Sequence, residues 1–249
     1  MLMLVNNETG AVQPITEVAE SLSSYRSKTG RRIYLHSDAV QGFGKIPFNP
    51  VEAGVDSASF SAHKIGGPRG VGALYVRRGI SYDFLYSGGG QERGRRPGTE
   101  NSAGIFGFAL AGEKTVQNLK TELETATRRM KTLISGLQDI EGAVLIPQSR
   151  AEGGDFRFSP YILSVAFAPV PGEVLTRVME EEGFLISTGA ACSSKKKNRF
   201  RIMENMGISK DLAISAIRIS QGRDTRLEDL ERFTAVLRQK IPELRKIAG

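Results

Sequence analysis

The amino-acid sequence predicts an α/β protein, a mostly parallel sheet with a crossover helix, followed by a smaller α+β unit. Three observations carry that expectation. Short apolar runs that end abruptly in polar residues recur in the first half, at 2–5, 32–35 and 56–62, and such a run fits a strand whose carboxyl end opens at a sheet edge. Between the first two runs lies a helical pattern with a stop signal at each end, which is the connection two parallel strands require. Past about residue 115 long, charged helical patterns alternate with three apolar strands.

Taken in order, 2–5 is the first strand, and it begins with no turn or cap before it. Asn6-Asn7-Glu8-Thr9-Gly10 is the turn after it; by chemistry alone an Asn-Asn pair is punctuation that tolerates left-handed backbone. Pro14 opens a helix over 15–28, where Ile15, Val18, Ala19, Leu22 and Tyr25 recur at helical spacing, and Gly30 closes it. The strand at 32–35 leads to Asp38 and Gln41, the strand at 56–62 leads to Lys64, and 71–76 returns antiparallel. Gly88-Gly89-Gly90-Gln91-Glu92-Arg93-Gly94 is rich in glycine but lacks both the strand-loop-helix setting and the Lys-Ser/Thr pair of a phosphate loop, which argues against nucleotide binding. From 101 to 136 the pattern is one long helix, with the domain boundary placed inside it, so that 1–115 and 116–249 form two domains. In the second, strands are expected at 143–146, 162–167 and 216–220 and helices at 173–182 and 227–246, with 148–160 an exposed polar loop.

Three places carry chemistry. A lysine at the end of a buried strand loses hydration, which frees its amine to attack a carbonyl; Lys64, in Ser61-Ala62-His63-Lys64, stands there. Asp38 ends the neighbouring run, so a carboxylate and an amine can face one crevice beyond the strand ends. Cys192 is the one cysteine of the chain, set among small and hydroxylic residues and followed by Lys195, Lys196, Lys197, Arg199 and Arg201; cations favour the thiolate, the reactive form. A solvated loop is the plain reading of that basic run, and docking of an acidic acceptor the sharper one. Arg218 interrupts the apolar run Ile217-Arg218-Ile219, and a buried guanidinium requires a carboxylate partner.

These stretches, Val5-Asn6-Asn7-Glu8-Thr9-Gly10, His36-Ser37-Asp38-Ala39-Val40-Gln41, Ser61-Ala62-His63-Lys64 and Arg96-Pro97-Gly98-Thr99-Glu100-Asn101, resemble those of the NifS/IscS-type cysteine desulfurases, in class V of the pyridoxal-phosphate aminotransferase superfamily, in order and approximate spacing. The resemblance implies fold type I of the pyridoxal-phosphate transferases: 1–115 as the C-terminal part of the large cofactor domain, and 116–249 as the small domain with the cysteine loop. It implies pyridoxal 5'-phosphate as cofactor, with Lys64 as the Schiff-base residue, Asp38 against the pyridine nitrogen, Asn7 on the phenolic oxygen side, and Gln41, Ser61, His63 and Thr99 as further contacts. Ser61 falls on the phosphate, and Thr99 on the phosphate of the other protomer of a homodimer. Arg218, with Asn7, clamps the substrate carboxylate, and Cys192 takes the sulfur of L-cysteine as a persulfide, releasing L-alanine. Sulfur would pass to an iron-sulfur scaffold or a tRNA-thiolation relay. No resident metal is implied beyond passing contact of Cys192 with a cluster.

Ala190 stands where the family's Ser-x-Gly-Ser-Ala-Cys pattern has a serine. The phosphate loop and ring-stacking histidine that the family carries upstream are not in this sequence, so the chain resembles the C-terminal portion of a member. Two alternatives stay open: another class V enzyme such as a selenocysteine lyase, and an inactive truncated chain serving as an interaction module. Composition is consistent with this. One cysteine excludes an internal disulfide and fits a reducing compartment, the cytoplasm; the absence of a basic region or a small-residue cleavage site around residues 1–5 gives no export signal. The net charge of +7 points to acidic ligands or partners, while 7% aromatic residues with no Trp argue against a dedicated nucleic-acid module.

Overall fold

The structure, a computed structural model, describes residues 1–82, 86–152, 156–189 and 200–248. The chain forms two compact units, one of Met1–Val5 and Gln13–Lys120, the other of Asn6–Val12 and Thr121–Gly249.

The first unit is built on a four-stranded sheet in the order β1 (Leu2–Met3), β2 (His36–Asp38), β3 (Ser57–Ser61), β4 (Gly72–Val76). The first three strands run parallel and β4 returns antiparallel. Helix α1 (Ile15–Thr29) makes the crossover from β1 to β2; Pro14 precedes it, and Gly30 ends it with φ 71° and its N–H on the Arg26 carbonyl, a conformation open to glycine without steric cost.

The strands are shorter than the apolar runs suggest. Residues 32–35 are not a strand: Ile33 and Tyr34 are 49% and 61% exposed, and the Arg32 guanidinium lies 4.9 Å from the centre of the Tyr34 ring. The expected buried strand at 2–5 is a half-buried edge strand of two residues, and burial begins at Leu4 and Val5. What anchors the parallel pair is polar. Asp56, buried immediately before β3, accepts from the Leu35 amide at 2.8 Å and from Arg32 Nη2 at 2.8 Å, with Arg77 Nη1 at 3.8 Å. It ties the entrance of β2 to the entrance of β3.

Beyond β3 the chain tightens into a 3₁₀ turn, Ala62–Ile65. A single irregular turn α2 (Gln91–Gly94), with Glu92 and Arg93 at φ 49° and 60°, precedes α3 (Ser102–Gln117), which lies against the 3₁₀ turn. Gly104 and Gly107 let α3 approach the segment that follows the turn, since a Cβ at either would stand 2.5 Å from Val71 or 2.7 Å from Pro68. The helical pattern of 101–136 proves to be two helices, α3 and α4 (Leu119–Gln138). They part at Asn118, whose side-chain amide donates to the Lys114 carbonyl at 2.8 Å; a polar side chain that takes a helix carbonyl offers the backbone an alternative to continuing the helix.

In the second unit β5 (Val144–Ile146), β6 (Ile162–Ala166) and β7 (Ala216–Ser220) form an antiparallel sheet in that order. On one face α4, α5 (Gly172–Glu181) and α8 (Leu227–Ala248) pack Leu133, Leu137, Leu175, Met179, Leu237 and Ile241 against Leu163, Val165, Ile217 and Ile219. On the other, Met203 of α6 (Arg201–Asn205) and Ala213 of α7 (Lys210–Ser215) pack on Ala166 and Ala216. Alternation along β7 puts Arg218 on this second face.

Segment 6–12 is stitched to this unit by Val12 N–H to the Arg157 carbonyl and Ser159 N–H to the Gly10 carbonyl, both 2.8 Å. The polar stretch 148–160 is exposed only in part: Gln148, Ala151, Phe156 and Arg157 are exposed. Among its described residues Arg150, Phe158 and Ser159 are buried; Arg150 Nη2 donates to the Ser159 carbonyl at 2.7 Å, and its guanidinium stacks 4.8 Å from the Phe158 ring centre.

Replacing Asp56 with Ala leaves the buried Leu35 amide without an acceptor and two arginines without their anion. Both arginines are partly exposed, so the expected loss is about 2–3 kcal/mol. Urea unfolding measures it, and a loss below about 0.5 kcal/mol would show that Asp56 is not the anchor.

Candidate active site

The residues singled out in the sequence form two clusters, one in each unit. In the first, β2 and β3 are adjacent and parallel, with His36 opposite Ser57 and Asp38 opposite Ser59. Alternation then sets His36, Asp38, Ser57, Ser59 and Ser61 on one face of the sheet. Asp38 is the last residue of β2 and Lys64 lies in the turn directly after β3, so both stand at the carboxyl edge of the same strand pair. Lys64 and His63 are exposed. The dehydration expected of Lys64 is therefore not present in this chain, because the chain leaves the buried strand at Ser61 and the 3₁₀ turn carries the lysine outward.

Around that edge the polar groups hold one another. Ser61 Oγ and His63 Nδ1 are 2.8 Å apart. Asp38 Oδ1 accepts from the Val40 amide at 3.0 Å, turning the chain into the stretch that bears Gln41, whose Oε1 accepts from Lys45 Nζ at 3.3 Å. Thr99 is exposed in the irregular backbone between α2 and α3.

His36 is a residue that pattern reading passed over. It is half-buried, with Nδ1 2.8 Å from Ser57 Oγ. Burial holds its pKa below the ordinary histidine value; the Asp38 carboxylate opposes this by favouring the cation, and the N-terminal ammonium adds to the lowering. The signal was there in the two-residue period of β2, which puts His36 on the face of Asp38.

In the second unit Asn7, Glu8, Ser187, Gly189 and Arg218 converge. Asn6 Oδ1 accepts from the amides of Glu8 and Thr9, each at 2.9 Å, and so shapes the turn. Arg218 Nη1 donates to the Asn7 carbonyl at 3.1 Å. The backbone of Arg218 pairs with that of Ser187. Arg218 Nε and, directly opposite on β6, Ser164 Oγ are buried with no hydrogen-bond partner among the described residues. The carboxylate expected for Arg218 does not form an ion pair with it among the described residues; Glu8, next to Asn7, is within electrostatic reach. Burial raises the Glu8 pKa, and the Arg218 charge works to lower it. Sequence could not pair the two, since the turn and the strand lie some two hundred residues apart. Cys192, Ala190 and the basic run 195–199 fall outside the described residues.

Comparison with known proteins follows the same lines. Residues 1–233 match the aminotransferase class-V family. The chain is 34% identical over 247 residues to the cysteine desulfurase IscS of Methanosarcina thermophila, and 37% identical over 249 residues to that of Dictyoglomus turgidum; each match takes in 99% of this chain and 58% or 60% of the relative. Among solved structures, a NifS-like protein superposes with a TM-score of 0.83 at 34% identity, over 97% of this chain and 61% of the other. A NifS-like protein from Rickettsia africae gives 0.84 at 27% identity, over 97% and 62%. The chain thus spans about three fifths of the length of the relatives it matches.

The shared face of His36 and Asp38 is open to a pH test. Because the folded His36 pKa lies below its unfolded value of 6.5, the unfolded chain takes the proton first as pH falls through that value. The stability linked to neutral His36 is thus present above pH 6.5 and declines as pH falls toward the folded pKa. Asp38→Asn removes the opposing charge and should move the His36 imidazole midpoint, followed by NMR, lower still; an unmoved midpoint would mean that the two side chains do not act on each other.

Proposed function

Because the chain belongs to the aminotransferase class-V family, we propose that it carries the chemistry of a pyridoxal-phosphate-dependent cysteine desulfurase, removing sulfur from L-cysteine to give L-alanine and a persulfide on Cys192. The observation that carries this reading is the pairing of β2 with β3, adjacent parallel strands that bring a carboxylate and an amine, Asp38 and Lys64, to one edge. The donor set fits pyridoxal phosphate in kind: an amine for its aldehyde, a carboxylate for its ring nitrogen, and the Ser61 hydroxyl for its phosphate, with His63 2.8 Å from that hydroxyl as a further contact. When bound, the cofactor supplies an electron sink for the substrate's α-carbon.

The roles of the chain's residues follow from their chemistry. Asp38 would keep a proton on the cofactor's ring nitrogen. Lys64 Nζ would hold the cofactor's aldehyde end, and its amine is the base placed to move the substrate's α-proton. Asn7 would lie on the phenolic side of the ring, Gln41 would be a further contact, and Thr99 would reach the phosphate of the other protomer of a homodimer. Arg218 and the Asn7 side chain bind the substrate carboxylate, a role that suits the buried, unpartnered Arg218 Nε. The Cys192 thiolate attacks the substrate sulfur; the carbon–sulfur bond breaks and the sulfur stays on Cys192, while a proton on carbon completes alanine.

A homodimer is supported by α3, which exposes Phe106, Leu110 and Val116 at 72%, 57% and 56%. The acceptor of the persulfide is a partner protein, an iron-sulfur scaffold or a tRNA-thiolation relay, and a reducing cytoplasm suits a chain with one thiol. Among the described residues no helix is long and apolar enough to cross a membrane.

Borohydride reduction of the chain with pyridoxal phosphate, followed by peptide mapping, should put the pyridoxyl label on Lys64 and leave Lys64→Ala unlabelled. Cys192→Ser should keep that label but form no persulfide from L-cysteine. A label on another lysine, or a persulfide formed without Cys192, would sink the assignment.

A further inference from the structure

The entrances of β2 and β3 enclose a crevice that the chemistry at the other end of the sheet does not use. It holds about 90 Å³ and is walled by Ser23 and Arg26 of α1, by Arg32 before β2, by Gly54 and Asp56 before β3, and by Arg77 after β4. Three guanidiniums thus line it with one carboxylate, and Asp56 is the only acid in the wall among the described residues. That carboxylate is already engaged on both oxygens, Oδ2 by the Leu35 amide and Oδ1 by Arg32 Nη2, each at 2.8 Å. Arg77 donates Nε and Nη2 to the Val55 carbonyl at 3.1 and 2.9 Å, and its Nη1 stands 3.8 Å from Asp56 Oδ1, beyond hydrogen-bonding distance. Arg26 has no carboxylate partner among the described residues. Gly54 keeps the space open: a Cβ there would lie 3.1 Å from Ala19 Cβ and 4.0 Å from Arg77 Nη2.

We propose that this crevice is a binding site for a small phosphate-type dianion. Three arginines against one carboxylate leave two positive charges unmatched, the charge of one such dianion. Arg32 and Arg77 are 31% and 39% exposed, so water screens them less than it screens cations standing free on the surface. The size agrees. An apolar cavity of about 150 Å³ takes up one benzene, so 90 Å³ fits a tetrahedral oxyanion and leaves the body of any larger ester outside. The donors agree as well: a guanidinium presents paired N–H groups that match the oxygens of a phosphate, and the Ser23 hydroxyl, three residues before Arg26 on the same face of α1, adds one more. An anion held between Arg26 and Arg77 ties α1 to the strand entrances that Asp56 aligns, and it does so without claiming the groups at the edge of Asp38 and Lys64. The site therefore does not depend on the desulfurase reading.

The test is an NMR titration of the full chain with inorganic phosphate at about pH 8, where phosphate is mostly dianionic, at constant ionic strength balanced with chloride. The amides of Ser23, Leu35 and Gly54 report the crevice, and those of Ser61 and His63 the opposite edge. Saturable shifts are expected at the crevice. Arg26→Ala should weaken binding about tenfold, the share of one charge-assisted hydrogen bond, and Ser23→Glu, which brings a second carboxylate to the wall, should abolish it; both residues are exposed on α1, so the variants keep the fold. Acetate, a monoanion, should not saturate the same amides. Glycerol 3-phosphate titrated in parallel separates the sources of such a dianion: an ester that binds more tightly marks a phosphate carried on a small organic molecule, and a free ion that binds at least as tightly marks inorganic phosphate. Shifts that do not saturate, acetate saturating as phosphate does, or Arg26→Ala and Ser23→Glu both binding as wild type does would overturn the site. Shifts confined to Ser61 and His63 would overturn it too, while leaving the proposed function in place.

Discussion

The pairing of β2 with β3 is the constraint on which the first unit depends. Parallel strands cannot be joined by a tight turn and are drawn together only by a crossover and by what covers them. Here β2 has three residues, too few for its ladder bonds alone to define a register. Asp56 supplies what the short ladder lacks. By holding the Leu35 amide at the head of β2 while itself sitting at the head of β3, it aligns the two starts, and alignment of the starts carries through to the ends, where Asp38 finishes one strand and Ser61 the other. The charged anchor sits at the end of the sheet opposite to the chemistry, where a salt bridge adds rigidity without competing for the polar groups of the site.

A second dependence concerns the turn after β3. An exposed lysine is an uncommitted one: nothing in the strand holds the Lys64 side chain, and its backbone is placed by the 3₁₀ turn and by α3, which lies against the turn and, through Gly104 and Gly107, against Val71 and Pro68 just after it. Small residues in α3 thus do for the turn what Asp56 does for the strands. The same helix exposes large apolar side chains on another side, so one element both backs the lysine turn and offers surface to a partner.

In the second unit the organising cost is that of Arg218. A guanidinium in an apolar strand is tolerated where its donors find oxygen, and the segment 6–12 provides it, pinned to the unit by backbone bonds to Arg157 and Ser159. That leaves Nε without an acceptor among the described residues.

The sequence by itself determined the local order. Period-two and helical patterns placed α1, α5, α8 and the three strands of the second sheet nearly residue for residue, since each depends on near neighbours. Asp38, Lys64, Cys192 and Arg218 stood out because their types are costly or reactive where they occur. Tertiary structure alone decided the rest. Whether 32–35 is a strand was settled by Asp56, which takes the Leu35 amide and the Arg32 guanidinium and leaves Ile33 and Tyr34 in water. That Arg150, in the polar stretch 148–160, is buried was settled by a carbonyl and an aromatic ring that take its guanidinium. The meeting of Asn7 with Arg218 joins residues some two hundred positions apart. Burial and charge pairing are properties of which distant segments meet, and a linear pattern carries no record of that meeting until the chain has folded.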